Sequence, residues 1–558
     1  MNMKGMQMGG YMSKYVIGVD FGTLSGRTVL VDICTGVEVE ESVLNYAHGV
    51  MDEELPGGRK LPPQYALQHP ADYLEVLGVT IPDVLAKAEV KPEEVAGLGI
   101  DFTACTLLPV DDDVMPLCMK PEFEKEPHAY VKLWKHHAAQ QEADDINALA
   151  AQREEAWLPI YGGKISCEFA LPKILQVLRD APGIYQNTAR FIEAADWLSW
   201  KLTGVETHSA VFAGYKALWN EETGYPSDEF MTALDERLHG IVGTKLSTEV
   251  RTMEQTAGCL DENGAALTGL QAGTPLALPM IDAHAAIPAL NITGDGDLMM
   301  IIGTSTCHIL NAKVGKNVDG ICGYVKNGVI PGFYTYEAGQ AGVGDIFDWF
   351  VHNGVPAQYE KEAEERGISV HKLLREKAKR LRPGESGLLA LDWLNGNRSV
   401  LVNSDLTGMM LGMTLRTKPE EMYRAWIEAT AYGTKMIIEQ YEKSGIHIRN
   451  ICAAGGIAQK DEMMMQIYAD VIGKEICIAG TTQAGALGSA IYASVAGGIY
   501  KDVVEAAAHL ARPDKCVYQP NPQNQIVYEK LYEEYKLLHD YFGRGCNIIM
   551  SRLGKLAK

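Results

Sequence analysis

The sequence contains no Cys-x-x-Cys pair, although it has eleven cysteines. An odd, scattered set supplies neither a disulfide framework nor the spacing of a zinc site, and fits free thiols in a reducing compartment. His136 and His137 are adjacent and lack the i, i+4 spacing of helical zinc ligands, so they are read as structural or surface residues. Positive charge is scarce: 50 Lys and Arg against 72 Asp and Glu leave a formal net charge of −22. That balance excludes a protein that grips the phosphate backbone of nucleic acids. Nucleotides are not excluded, because their phosphates can be met locally by backbone N–H groups and a metal. No run reaches the roughly 18 uninterrupted apolar residues of a membrane span. Residues 1–11 are rich in Met and Gly and lack the apolar core of a secretory leader, so they are expected to be a disordered extension. These absences together imply a cytoplasmic protein with neither membrane nor nucleic acid among its partners. The common nucleotide signatures are missing too. There is no Gly-x-x-x-x-Gly-Lys-Ser/Thr, and no Gly-x-Gly-x-x-Gly follows a predicted strand.

What is present is a long chain of ordinary globular composition. It has 558 residues, 47% of them hydrophobic, and this length exceeds what one core usually organises. Tyr15-Val-Ile-Gly-Val-Asp20 reads as a strand, Phe21–Ser25 as a turn and Thr28–Asp32 as a returning strand. The same device recurs at Leu298–Ile302, Gly303–Thr306 and Cys307–Leu310, which suggests two halves of related design. Val95–Ile100 reads as a buried strand ending at Asp101, and Phe191–Leu202 as a helix stopped by Gly204. Thr417-Lys-Pro-Glu420 has the spacing of a capping box and opens a helix toward Ser444, stopped by Gly445. Asn450–Ala454 is a strand ending in the pair Gly455–Gly456. Met464, Ile467, Tyr468 and Val471 share one helical face, and a helix of small side chains begins at Ala484. Alternating strands and helices make the chain α/β. The boundary is expected near residues 288–297, giving domains 12–287 and 288–545.

The two hairpin turns can present N–H groups and hydroxyls to phosphates. Asp20, at a strand end, stands where a carboxylate would hold Mg²⁺. Taken alone, such a turn is more often just an ordinary hairpin turn, and it is the combination that points to phosphate. Asp282 and His284, among small residues at the end of an apolar stretch, are placed differently. A carboxylate there can accept the proton of an attacking hydroxyl. The alternative reading of Asp282 is a helix cap, and His284 is read as structural.

Several blocks go further. They are Gly18-Val-Asp-Phe-Gly-Thr23, Gly99-Ile-Asp-Phe-Thr-Ala-Cys-Thr106, Lys132-Leu-Trp-Lys-His-His-Ala138 and Pro279-Met-Ile-Asp-Ala-His284. In the second half come Gly303-Thr-Ser-Thr-Cys-His308, Glu337-Ala-Gly-Gln340, Leu391-Asp-Trp-Leu-Asn-Gly-Asn-Arg398 and Ala454-Gly-Gly-Ile-Ala458. Through them the chain resembles the FGGY family of carbohydrate kinases. The resemblance implies two actin-like, ribonuclease-H-like ATPase domains flanking a central cleft, and transfer of a phosphoryl group from ATP, with Mg²⁺, to a sugar. It implies Asp282 as catalytic base, with Ala104, Lys216 and Glu337 lining the sugar pocket beside it. Thr23, Gly303 and Thr304 would meet the phosphates, and Gly455 and Gly456 the adenine. The longest blocks imply a ketopentose acceptor, L-ribulose first, with D-ribulose, xylulose or ribitol as alternatives. An actin-like ATPase or a non-catalytic sugar sensor is the reading from another class, and a homodimer is left open. Two departures stand out: Gly-Gly-Ile-Ala-Gln-Lys from Gly455, where other members carry Gly-Gly-Gly-Ala, and Ala341-Gly342, where relatives often carry Ser-Ala.

Overall fold

The computed structural model describes residues 7–8, 11–12, 14–512 and 516–557. The expectation for residues 1–11 falls largely outside them; within that segment Gln7–Met8 pairs with Tyr11–Met12. Among the described residues no helix is long and apolar enough to cross a membrane.

Two large sheets carry the molecule, and their plans match. In the first, Glu38–Asn45, Ser25–Asp32 and Tyr15–Phe21 run antiparallel. Val95–Phe102 and then Pro275–Ala277 join in parallel, and Thr256–Cys259 closes the edge. In the second, Tyr334–Gln340, Thr306–Ala312 and Asp297–Ile302 form the antiparallel run. Asn450–Ala454 and Ile476–Ile478 follow in parallel, with Gly323–Lys326 and Cys516–Tyr518 at the edges. Val95–Phe102 is buried at every position, as a parallel strand covered on both faces must be.

A third, smaller core fills the insertion that follows the first meander. There Arg190–Glu193, Leu107–Val110, Val131–Lys132 and Leu67–Gln68 form a four-stranded sheet, with Trp157, Phe169 and Phe230 buried nearby. This sheet corrects one expectation. Phe191–Glu193 is strand, paired with Leu107–Pro109, and the helix begins only at Ala194 and ends at Thr203. Phe and Ile are good strand formers, and a waiting antiparallel partner decides their state. A second correction concerns the capping box. The long helix is Pro419–Lys443, and the Lys418 N–H donates to the Glu421 carboxylate at 2.6 Å. Thr417 instead accepts from Thr414 N–H at 2.8 Å. The box is therefore displaced by one residue, because Pro419 is fixed as the first helical residue.

Ala484–Ala496, far along the chain, packs against the first sheet and against the helix Asp282–Ala289. Glycines make this possible. A Cβ on Gly18 would lie 1.8 Å from Ala486 O, one on Gly99 2.0 Å from Ser489 O, and one on Gly488 1.7 Å from Ala285 O. The small side chains of this helix thus let backbone rest directly on backbone.

Candidate active site

The first sheet aligns three carboxylates. Tyr15–Phe21 and Val95–Phe102 run parallel with Asp20 opposite Asp101. On the far side Met280 and Ile281 pair with Asp101 and Phe102, and the chain passes at once to Asp282, the first residue of its helix. The site thus gathers at the carboxyl ends of parallel strands, where open α/β sheets place their ligands. Phe21 and Phe102 stack at 4.8 Å beneath it.

Crowding governs the protonation of these acids. Burial raises the Asp20 carboxyl, opposed by a hydrogen bond with Asp101 and by Arg27, whose Nε lies 3.4 Å away. Burial and the Asp20 charge push Asp101 well above the usual carboxylate range. Ser489 Oγ donates to Asp101 Oδ2 at 2.7 Å, while Oδ1 is buried without a hydrogen-bond partner. Asp282 is pushed up to about 7, first by burial and then by Asp20, against the Ala283 N–H. That amide donates to Asp282 Oδ1 at 2.6 Å. The cap of this helix is Ile281, so Asp282 does not occupy the position of an N-cap side chain.

Beside Asp282 lies a buried ionic cluster. Lys216, the last residue of the helix Ala210–Lys216, places Nζ 3.1 Å from both Glu337 oxygens. Arg398 Nη2 donates to Glu337 Oε1 at 2.8 Å. Burial works to raise the Glu337 carboxyl, but Lys216 and Arg398 outweigh it and hold it down to about 2. Glu337 is therefore held charged between its two cationic partners. His284 is buried, its Nε2 3.9 Å from Glu337 Oε2, and its ring lies 4.5 Å from that of Tyr215. Ala104 lies half-buried on the turn Thr103–Thr106, with its carbonyl accepting from Thr106 Oγ1 at 3.3 Å.

The remaining predicted residues lie on backbone turns. Thr23 Oγ1 accepts from Trp134 Nε1 at 3.2 Å. Gly303 and Thr304 form the second hairpin turn, and their carbonyls accept the N–H groups of Gly344 and Val343 at 3.0 and 2.8 Å. The Thr304 side chain is exposed. The glycine pair divides its work. Gly455 has φ +95°, and a Cβ there would lie 2.5 Å from Ile302 O, whereas Gly456 faces open space. Only Gly456 leaves room for a ligand beside its Cα. Sequence reasoning gave no role to Asp101 or Arg398. The signal for Asp101 was present: Gly99-Ile-Asp-Phe102 repeats Gly18-Val-Asp-Phe21 with one aliphatic exchange.

Among the described residues no three His, Cys, Asp or Glu side chains converge as a metal cage. Magnesium does not require one, since it is usually held by one or two carboxylates plus phosphate oxygens and water. Asp20 and Asp101 fit that pattern, and Asp101 Oδ1 is buried without a hydrogen-bond partner.

Known proteins share this organisation. The N-terminal domain model of the FGGY family of carbohydrate kinases matches residues 15–287, and its C-terminal domain model residues 298–497. A ribulokinase of Geobacillus thermodenitrificans is 52% identical over 545 residues, 97% of this chain and 96% of the relative. One from Mycolicibacterium smegmatis is 47% identical over 542 residues, 97% of this chain and 96% of the relative. In three dimensions the chain is similar to gluconate kinase from Lactobacillus acidophilus, with a TM-score of 0.80 at 19% identity, covering 95% of this chain and 99% of that one. It is also similar to Plasmodium falciparum glycerol kinase with ADP, with a TM-score of 0.73 at 18% identity, covering 94% and 98%. The duplicated sheet plan is thus the two-domain, actin-like fold of sugar kinases. With both domain models matched in order over most of its length, the chain belongs to the FGGY family of carbohydrate kinases.

Proposed function

We propose that this kinase transfers the γ-phosphoryl group of ATP to the terminal hydroxyl of L-ribulose, yielding L-ribulose 5-phosphate and ADP. The observation that carries the reading is the buried Lys216–Glu337 pair, braced by half-buried Arg398, beside Asp282. A polyol needs such fixed donors and acceptors, and a carboxylate poised near neutrality is suited to take the proton of its hydroxyl. The names of the relatives, about half identical along the whole chain, supply the substrate.

In this mechanism Ala104, Lys216 and Glu337 orient the sugar so that its terminal oxygen lies in line with the γ-phosphorus. Asp282 accepts the hydroxyl proton as the oxygen attacks, and closing of the cleft excludes water. The turns at Thr23 and at Gly303–Thr304 meet the phosphates, and Gly456 accommodates the adenine. Bound at Asp20 and Asp101, a magnesium ion would offset phosphate charge during transfer. We take 12–287 and 288–545 as the working division between the sugar side and the ATP side.

Coupled measurement of ADP release across L-ribulose, D-ribulose, L- and D-xylulose, ribitol and glycerol tests the reading. Turnover should be fastest with L-ribulose, weaker with other 2-ketopentoses, and near background without sugar. Good turnover of xylulose or glycerol with both ribuloses ignored would overturn the substrate assignment. Sugar-independent hydrolysis at the full rate would favour an ATPase.

A further inference from the structure

Beneath the proposed sugar pocket lies a second buried charge that the mechanism does not use. Lys173, in the helix Ala170–Asp180, has no exposed surface. Its ammonium donates to three backbone carbonyls: Cys105 O at 2.6 Å, Leu133 O at 3.0 Å and Lys132 O at 3.4 Å. An ammonium has three donors, so every one of them is spent on main chain. Those carbonyls come from two segments that lie side by side, as Leu107 pairs with Lys132. One is the turn Thr103–Thr106, and the other leads to Trp134, whose indole N–H reaches Thr23.

The turn itself is held at each flank. Cys105 has φ +58°, a left-handed conformation that a non-glycine residue keeps only when its surroundings impose it. Thr106 Oγ1 donates back to Thr103 O at 2.8 Å, and Thr106 N–H donates to the buried Glu193 Oε2 at 2.8 Å. Glu193 Oε1 has no partner. Core stability alone gives little reason to bury a lysine and a glutamate that do not bond each other, because apolar residues of similar volume usually serve as well. What these two side chains share is the Cys105–Thr106 peptide, immediately after Ala104.

We propose that Lys173, seconded by Glu193, is a positioning residue for the sugar: it fixes the Cys105–Thr106 peptide, and through it the adjoining Ala104, at the height and angle that sugar binding requires. The inference rests on the reading that Ala104 lines the sugar pocket. Lys173 touches neither substrate, and its influence on ATP passes only through the longer Trp134–Thr23 link.

Lys173→Met keeps length and removes the ammonium. The folded variant should show a sugar KM raised at least about tenfold, since small misplacement of a binding group is costly, while the ATP KM stays within about twofold. A lysine that serves stability alone would lower the melting temperature and leave both constants at the parental value, and that result overturns the proposal. Should Lys173→Met fail to fold, Glu193→Gln decides the matter, because it keeps the shape and a carbonyl acceptor but weakens the acceptor facing Thr106 N–H. It should raise the sugar KM about threefold at unchanged ATP KM, and an unchanged sugar KM overturns the proposal. Glu337→Gln separates this inference from the pocket assignment. A raised sugar KM in Glu337→Gln with parental values in both other variants sinks only the role of Lys173. A parental value in Glu337→Gln sinks the pocket assignment, and this inference with it.

Discussion

Asp282 accepts a hydrogen bond from the next amide in the chain and shares its space with Asp20. Its carboxyl is raised to about 7 by burial and by that neighbour, and two consequences follow. As a base it must be ionised, so kcat should fall as pH drops below about 7. As a raised acid it stabilises the fold below the pKa of the unfolded chain, about 3.9, and that contribution is lost as pH rises through 7. Asp282→Asn should therefore cut turnover on the order of 10²–10⁴-fold and yet melt higher than the parent at pH 8. The gain should shrink by pH 5, where the native carboxyl is largely protonated. Melting curves at both pH values with single-turnover rates check this; an active variant that melts lower at pH 8 would mean that Asp282 only supports its helix.

At the scale of elements, the contact between Ala484–Ala496 and Asp282–Ala289 is backbone against backbone. Gly488→Ala would place a Cβ 1.7 Å from Ala285 O, where only backbone can yield. The helices must separate, costing roughly 3 kcal/mol or more, and Asp282 moves with its helix. Turnover and melting temperature should fall together, and a variant with parental values for both would refute the close approach. The elements themselves were mostly legible: both hairpins, the strand ending at Asp101 and the small-residue helix follow from alternation, glycine turns and side-chain size. Their partners were not. Phe191–Glu193 became strand because Leu107–Val110 lay ready to pair with it, and Thr417 lost the cap to its neighbour through one proline. Among site residues, Asp20 and Asp282 announce themselves at strand ends. Lys216 and Glu337 read locally as surface charges, and only the fold brings them within 3.1 Å. Arg398 and Lys173 depend on contacts 61 and 68 positions distant, which no local pattern encodes.

For the whole molecule, the ionic cluster joins the halves, Lys216 coming from the first and Glu337 and Arg398 from the second. Ligands that bind between two such bodies favour the arrangement with the cleft shut. L-Ribulose together with a non-hydrolysable ATP analogue should reduce the radius of gyration in solution scattering. An unchanged profile with both ligands demonstrably bound would count against closure.

The helix Ala484–Ala496 also bears on how the protein is made. The first sheet lacks its covering helix until the ribosome has passed residue 496, and the partner helix ends at Ala289. At about 5–20 residues per second, the intervening stretch takes roughly 10–40 s to synthesise. For that time the nascent first half presents the bare faces of Gly18 and Gly99, and their aliphatic neighbours, to the cell. Its completion therefore waits on translation of the second sheet, and a protein truncated between the sheets would leave the first of them permanently unfinished.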